Sequence, residues 1–180
     1  MPPKWRGIDR STRLHSNSIS RKCRLVIIFV YPAVKRREIE TRLREFEALC
    51  RKRGLPLTVQ RREIFDAVIK RNDHPTVEQL YESLKERIPG LSRTTVYRVL
   101  STLVDLGVIR RLNHPGMAVR FDGKIHRHHH LICKKCDKVI DIHDAIWDGV
   151  PLPDVQRKGF EIDDFSVHFT GICAKCSRKA

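Results

Sequence analysis

Four of the six cysteines in this 180-residue chain form two Cys-x-x-Cys pairs, Cys133 with Cys136 and Cys173 with Cys176. Two intervening residues let one tight turn present both sulfurs to a single ion, and two such turns complete the tetrahedral Cys₄ geometry of structural zinc. The alternative is a pair of thioredoxin-like redox motifs, but neither pair lies in the strand–helix–strand setting of those motifs. The spacing therefore predicts one structural Zn²⁺ in a reducing, cytoplasmic compartment.

A histidine run supplies a second group of candidate ligands. His128 and His130 are two positions apart, so in a strand they lie on one face and can bind one ion together. Asp122 and Asp141 are nearby in the sequence, and a mixed nitrogen and oxygen donor set suits Fe(II), Mn(II) or Zn(II). The alternative is a solvated, tag-like histidine run. The roles of four further histidines stay open: His126, His129, His143 and His168.

Positive charge is concentrated in the first two-thirds of the chain. The formal net charge is +15, of which residues 1–53 carry +10 (15 basic, 5 acidic), residues 54–125 carry +4 and residues 126–180 carry +1. This distribution indicates a polyanionic partner, most simply double-stranded DNA, for the first two parts. The longest apolar run, Leu25–Ala33, has about half the length that a membrane helix needs, so no membrane function is expected.

Periodic apolar residues predict four helices, which begin near Glu38, Thr58, Thr76 and Ser92. Two strands follow, Val108–Leu112 and Ala118–Phe121, and a Pro-Gly turn joins them. Three helices followed by a hairpin make a winged helix-turn-helix arrangement, here with an extra leading helix. We assign it to residues 35–121, and we assign residues 1–34 to a basic, disordered tail.

The fourth helix has the composition of a DNA recognition helix. At 100° per residue, its apolar residues Val96, Val99, Leu100 and Leu103 share one face. Thr94, Arg98 and Ser101 face away from them and Tyr97 lies on the flank, and these four polar residues are candidate DNA contacts. Basic side chains elsewhere are candidates for phosphate contacts: Arg51, Lys52, Arg53 and Arg61. The alternative is an ordinary amphipathic surface helix with a solvated arginine.

Residues 122–180 are too few to hold a large core, so they need a staple or a partner subunit. Short strands are predicted at His128–Ile132, Lys138–Ile142 and Phe160–Phe169, with a short helix at Asp144–Val150. The predicted fold class is thus α+β, in which a winged-helix DNA-binding domain precedes a small α/β dimerisation domain. The two cysteine pairs are the predicted staple.

Several motifs together resemble the ferric uptake regulator family over about residues 42–178. They are Gly54-Leu55 with Thr58 and Arg61, His74-Pro75-Thr76, the run from Thr94 to Leu100, Val119–Asp122, His128–Cys133 with Cys136, and the final Cys173 with Cys176. The resemblance implies a homodimeric, metal-dependent transcriptional repressor of A/T-rich palindromic operators. Tyr97 and Arg98 match its base-reading positions, and the four cysteines match its structural zinc site.

The resemblance also implies a regulatory Fe²⁺ or Mn²⁺ site that bridges the two domains. Its five ligands would be His74, Asp122, His128, His130 and Asp141. Two aspartates, at the wing end and at the last ligand, resemble the peroxide-sensing branch, because iron sensors usually have Glu at the last position. An additional site found in many iron sensors would require histidines at Arg127 and Phe165, so we expect it to be absent.

Two alternatives within the family are an iron-responsive and a zinc-responsive repressor of metal uptake genes. Alternatives outside it are a metal-dependent hydrolase, which lacks an obvious general base beside the ligands, and a redox switch through the cysteine pairs. We therefore expect no enzymatic activity and no small-molecule substrate.

Overall fold

The computed structural model describes residues 36–151, 159, 161–162 and 164–178, and the predicted tail 1–34 lies outside them. Within this part six helices and five strands follow in order: α1 (Arg36–Lys52), α2 (Val59–Ile69), α3 (Val77–Leu84), α4 (Arg93–Asp105), β1 (Arg110–Leu112), β2 (Arg120–Asp122), β3 (His129–Cys133), β4 (Val139–Ile142), α5 (Ala145–Asp148), β5 (His168–Gly171) and α6 (Ala174–Ser177). The predicted α+β class is confirmed. None of these helices has the length and apolarity to cross a membrane.

Three helices begin where a side chain satisfies a free backbone N–H group, at positions that the sequence predicts. Thr58 and Ser92 each accept a hydrogen bond from the N–H group three residues further on. Thr76 and Gln79 form a capping box, in which each side chain accepts a bond from the other residue's N–H group. Such a cap stabilises a helix by about 1 kcal/mol, so these residues fix where α2, α3 and α4 start.

The helices enclose one core, and the apolar face predicted for α4 is buried in it. Val96, Leu100 and Leu103 are fully buried and Val99 nearly so. They contact the buried side of α2 and α3, while α1 contributes Phe46, whose ring lies 4.5 Å from the ring of a phenylalanine on α2. The core therefore holds α4 by one face and leaves its opposite face at the surface.

The two strands that follow α4 pair antiparallel, with Arg110 opposite Asp122 and Leu112 opposite Arg120. The first strand starts two residues later than predicted, because the N–H group of Val108 bonds to the carbonyl of Leu103 and completes the last turn of α4. The second strand is displaced toward the C-terminus and includes Asp122. The hairpin is the predicted wing, and its second strand ends at a candidate metal ligand.

A three-stranded sheet in the order β4-β3-β5 follows the wing. Strands β3 and β4 are antiparallel and β3 and β5 are parallel, so His130 pairs with Asp141 on one side and with His168 on the other. The strand predicted over Phe160–Phe169 is shorter in the described part of this range, where pairing begins at His168 and continues to Gly171. The N–H group of Val167 instead donates to a histidine ring, at 3.1 Å.

Gly123 lies where the chain passes from the wing to the sheet and crosses the end of α2. A Cβ atom at this position would be 2.9 Å from Ile69 Cα and 3.0 Å from the carbonyl oxygen of Val68. Both are backbone atoms, which cannot turn aside as the end of a flexible side chain can. The missing side chain therefore allows the residues on either side of Gly123 to approach α2 closely.

We predict that Gly123→Ala lowers the free energy of unfolding by about 1–3 kcal/mol, because the added methyl group overpacks a backbone contact. Gly171→Ala is the matched control, since a Cβ atom there would meet nothing within 4 Å. Urea denaturation of both variants and the parent measures the effect. Equal stability of Gly123→Ala and the parent protein would contradict the close contact.

Candidate metal centres and nucleic-acid interface

The five candidate regulatory ligands come from four separate parts of the fold and meet at one point. His74 lies in the loop between α2 and α3, and Asp122 is the last residue of β2. His128 directly precedes β3, His130 lies within β3, and Asp141 is its partner on β4. All except Asp141 are buried, and Asp141 is half-buried. Elements on both sides of Gly123 therefore supply ligands to a single centre.

One atom of each side chain faces the same small volume. One donor atom each from His74, Asp122, His128 and His130 lies within 4.8 Å of the other three. Asp122 Oδ2 is 2.7 Å from His128 Nε2 and 3.8 Å from the Nε2 atoms of His74 and His130. Asp141 Oδ1 completes the group, at 2.7 Å from His74 Nε2 and 3.6 Å from His128 Nε2.

These five atoms suit a divalent cation. All five are buried, and none has a hydrogen-bond partner of good geometry among the described residues. Buried polar atoms are rarely left in this state, because each costs about 1–3 kcal/mol. Ligands at about 2.1 Å from one ion lie roughly 3–4 Å apart; four of the nitrogen–oxygen distances here, at 3.6–3.8 Å, fall in that range, and two, at 2.7 Å, are slightly shorter. Three imidazoles and two carboxylates favour Fe(II), Mn(II) or Zn(II).

The two carboxylates are held in the ionised state. Burial alone would raise the pKa of Asp122, but the nearby imidazoles lower it well below the ordinary value. Burial acts in the same direction on Asp141, whose pKa is nevertheless lowered to about 2 by His74 and by the ammonium group of Lys124. Ionised carboxylates are the form that binds a metal, so no proton has to leave them first.

The three imidazoles differ in how they are fixed. The Nδ1 atom of His128 is 2.9 Å from the carbonyl oxygen of His126 and serves as the donor, which leaves Nε2 directed at the centre. Burial lowers the pKa of His128, but Asp122 outweighs this and raises it. Burial lowers the pKa of His130 below its ordinary value, which favours the neutral ring that coordinates metals.

His74 has a left-handed backbone conformation, with φ of 52°. This conformation is uncommon for a residue with a side chain and costs on the order of 1–3 kcal/mol. Two contacts with the wing strand hold it: an Arg120 guanidinium N–H donates to the His74 carbonyl at 2.9 Å, and the Phe121 N–H donates to the Pro75 carbonyl at 3.0 Å. The wing therefore positions a ligand that precedes it by almost fifty residues.

Histidines outside the ligand group surround it without entering it. His143 stacks on His128 with 5.3 Å between ring centroids, and His168 packs edge-on against His130 at the same distance. His126 lies 5.7 Å from His128. His129 points away from the centre, as its position in the strand predicts, and its ring is fully buried. These contacts shape the walls around the candidate ligands.

The four cysteines of the two Cys-x-x-Cys pairs form a second cluster. Cys133 ends β3, Cys136 lies in the turn toward β4, and Cys173 and Cys176 lie at the start and inside of α6. All four sulfurs are within 4.8 Å of one another, with Cys136 Sγ 3.7 Å from Cys173 Sγ. Two sulfurs that share a tetrahedral ion at about 2.3 Å lie roughly 3.8 Å apart, so the spacing suits zinc.

The thiols of this cluster differ in pKa, because each thiolate opposes the ionisation of its neighbours. The Cys173 N–H group donates to Cys133 Sγ at 3.3 Å and lowers the pKa of Cys133 to about 6. Hydrogen bonding with its neighbours raises the pKa of Cys176 to about 12. Four thiolates cannot coexist this closely without a cation, and none of the described cysteines forms a disulfide.

The outer face of α4 presents the predicted DNA-contacting residues. Thr94, Tyr97 and Arg98 are exposed and Ser101 is half-buried. Tyr97 leaves 46% of its surface accessible. Arg93, at the start of α4, pairs with Glu78 at 2.6 Å, whereas the exposed guanidinium of Arg98 has no ion pair with another described residue.

The predicted phosphate contacts divide into two groups. Arg51, Lys52 and Arg53 are exposed at the end of α1. Arg61 instead folds back, and its guanidinium donates to the carbonyl oxygen of Pro56.

The additional metal site of many iron sensors would need histidines at positions 127 and 165. Here Arg127 and Phe165 contact each other, with the guanidinium 4.7 Å from the ring centroid.

Sequence reasoning missed Lys124, whose burial beside two carboxylates has no local sequence signal.

Comparisons with known proteins identify the family of this chain. The family model of the ferric uptake regulator family matches residues 52–178. A peroxide-responsive repressor, PerR, of Staphylococcus epidermidis is 31% identical over 141 residues, which cover 78% of this chain and 94% of the relative. Ferric uptake regulator Fur of Helicobacter pylori, at 21% identity, has the same fold, with a TM-score of 0.68 over 82% of this chain and 97% of that chain.

A second solved structure is more similar in sequence. The peroxide stress regulator of Campylobacter jejuni is 26% identical and superposes with a TM-score of 0.56, over 74% of this chain and 98% of that one. The family match covers most of the chain, including α2 to α6 and both clusters of candidate ligands. The protein therefore belongs to the ferric uptake regulator family.

Proposed function

We propose that this protein is a metal-dependent, DNA-binding transcriptional repressor that responds to peroxide. The observation that carries the proposal is the group of five buried donor atoms, without a hydrogen-bond partner in the described part of the chain, on His74, Asp122, His128, His130 and Asp141. Two of them belong to the part of the fold that presents α4, and three belong to the sheet or directly precede it. A cation that binds all five would stabilise one arrangement of these two parts relative to others.

The chain's own contacts connect this centre to the recognition helix. Asp122 ends the wing strand, which holds the His74 loop through Arg120 and Phe121. Gly123 packs on the end of α2, and α2 packs on α4. We infer that metal binding orders this series of contacts and thereby favours the orientation in which α4 binds DNA.

The proposed partner is double-stranded DNA, bound by a homodimer. Two copies related by a two-fold axis read a palindrome, because each recognition helix enters one major groove. An A/T-rich operator is what the family resemblance implies. The exposed Thr94, Tyr97 and Arg98 would read bases, Ser101 would assist them, and the basic end of α1 would contact phosphates. Arg61 joins this set if DNA binding displaces it from Pro56.

We also propose that the four cysteines bind one structural Zn²⁺. This ion would join the turn after β3 to α6 and so fix the two ends of the sheet region. Structural zinc contributes directly to folding free energy. The adjacent thiols, which cannot all ionise without a cation, support the assignment.

The peroxide response rests on the curated relative and on Asp141. The Staphylococcus epidermidis relative is named a peroxide-responsive repressor, and Asp141 stands where iron sensors usually have Glu. Ferrous iron in the centre would supply redox chemistry toward peroxide, whereas Mn²⁺ would supply charge alone. The imidazoles of His74 and His128 are buried beside the donor atoms, so they are the nearest oxidisable groups.

Replacing one cysteine tests the zinc site. We expect Cys133→Ser to lose the zinc that the parent protein retains through dialysis against a mild chelator, and to unfold or dissociate the C-terminal half. Cys50→Ala is the matched control, because Cys50 is buried in the helical core away from the cluster. Metal analysis of the dialysed proteins measures zinc per chain. One zinc per chain in Cys133→Ser would refute the Cys₄ assignment.

Replacing the exposed arginine of α4 tests the DNA interface. We expect Arg98→Ala to weaken binding to the operator by about 1–3 kcal/mol and to relax sequence preference, because a base contact is lost. Arg178→Ala is the matched control. It removes the same charge at an exposed position near the cysteine cluster, and it should bind the operator normally. Fluorescence anisotropy with DNA selected from a random pool by the Mn²⁺-loaded protein measures both. Unchanged affinity in Arg98→Ala would exclude α4 as the reader.

Brief anaerobic exposure to peroxide tests the response itself. We expect the Fe(II) protein to release its operator and to gain the mass of an oxygen atom on a peptide that contains His74 or His128, while the Mn(II) protein does neither. Asp141→Glu should keep metal-dependent DNA binding and lose the peroxide response. Mass spectrometry and DNA binding are measured on the same samples. Unmodified histidines with DNA binding intact would make the protein an iron-responsive repressor instead.

A further inference from the structure

Lys124 is a buried lysine that contacts both carboxylates of the proposed regulatory centre. Only 8% of its surface is exposed. Its backbone N–H donates to Asp122 Oδ1 at 2.8 Å, and its ammonium group contacts Asp141 Oδ2 at 2.5 Å. We propose that Lys124 is a positioning residue, which occupies one oxygen of each carboxylate and leaves the other for the metal. The proposal rests on the function proposed above.

On the Asp122 side the contact is local in sequence. The carboxylate accepts the N–H bond two residues further on, as in an Asx turn. This bond occupies Oδ1 and fixes the rotation of the carboxylate plane. Oδ2 is then directed at the imidazoles, 2.7 Å from His128 Nε2. The backbone of Lys124 therefore makes Asp122 a donor through one oxygen, whatever side chain stands at position 124.

On the Asp141 side the side chain of Lys124 is decisive. The ammonium group binds Oδ2, while Oδ1 lies 2.7 Å from His74 Nε2. A carboxylate with both oxygens free can bind one ion through both of them, as acidic ligands often do. A buried ammonium group opposes this, because turning Oδ2 toward the metal would leave the ammonium without that partner, at a high desolvation cost.

Two consequences follow for the centre. The donor set is limited to three nitrogens and two oxygens, one donor short of the six that an octahedral metal ion accepts. One position would therefore remain for a small ligand such as peroxide. In addition, one positive charge offsets one of two adjacent carboxylates, so the ionised cluster is tolerated before any metal is bound. Both consequences depend on the Lys124 side chain.

The test compares Lys124→Met, which removes the donor, with Lys124→Gln, which keeps an N–H donor without the charge. Lys138→Met is the matched control, since Lys138 is exposed and directly precedes β4, beside the cysteine cluster. Each full-length protein keeps its zinc and is titrated with Co²⁺ and Mn²⁺. The readouts are the visible absorption of bound Co²⁺, which is weaker with six donors than with five, and the affinity for Mn²⁺.

We expect Lys124→Met to show the weak absorption of a six-donor centre and a Mn²⁺ affinity changed roughly 10–100-fold, the usual effect of losing a residue that orients a ligand. Lys124→Gln should keep the absorption of the parent protein, and Lys138→Met should match the parent in both readouts. Parent-like absorption and affinity in Lys124→Met would overturn the proposal for Lys124 alone. A parent protein whose Co²⁺ absorption is unaffected by His128→Ala would overturn the proposed regulatory centre as well.

Discussion

The structure depends on a group of buried polar atoms that have no hydrogen-bond partner of good geometry among the described residues. Nitrogen atoms of His74, His128 and His130 face oxygen atoms of Asp122 and Asp141 at distances of 2.7–3.8 Å. Burying two carboxylates side by side is unfavourable unless positive charge compensates them. Part of that charge comes from Lys124, and a divalent cation would supply the rest. The free energy gained when a cation binds these atoms could stabilise one arrangement of the surrounding elements over others.

The position of this group in the fold decides what that free energy can change. Asp122 is both the last residue of the wing and a ligand, and the wing holds the His74 loop in a left-handed conformation. Gly123, which directly follows Asp122, packs against the backbone of α2. The wing strand, the His74 loop and α2 thus lie between the donor atoms and α4, and α2 contacts α4 through the buried core.

The sequence predicted the helices well because their signals are local. Caps such as Thr76 with Gln79 and the apolar face of α4 depend on residues three or four positions apart. Strand limits were less accurate, since Val108 completes a helical turn and, among the described residues of the range 160–169, pairing begins at His168. The cysteine cluster followed from spacing. His74 was expected only from the family resemblance and Lys124 not at all, because both approach the centre through tertiary contacts that no periodicity reveals.

The two clusters differ in ways that suit a permanent and a responsive ion. Soft thiolates favour zinc, which has no redox chemistry, whereas imidazoles and carboxylates also accept Fe(II) and Mn(II). Four sulfurs complete a tetrahedral set, so nothing is left for a further ligand. Three nitrogens and two single oxygens do not complete an octahedral one, and Lys124 opposes the one rearrangement of Asp141 that would. With the proposed ions bound, opposite ends of strand β3 would thus carry one site that is closed by its donor count and one that is kept open by a neighbouring charge.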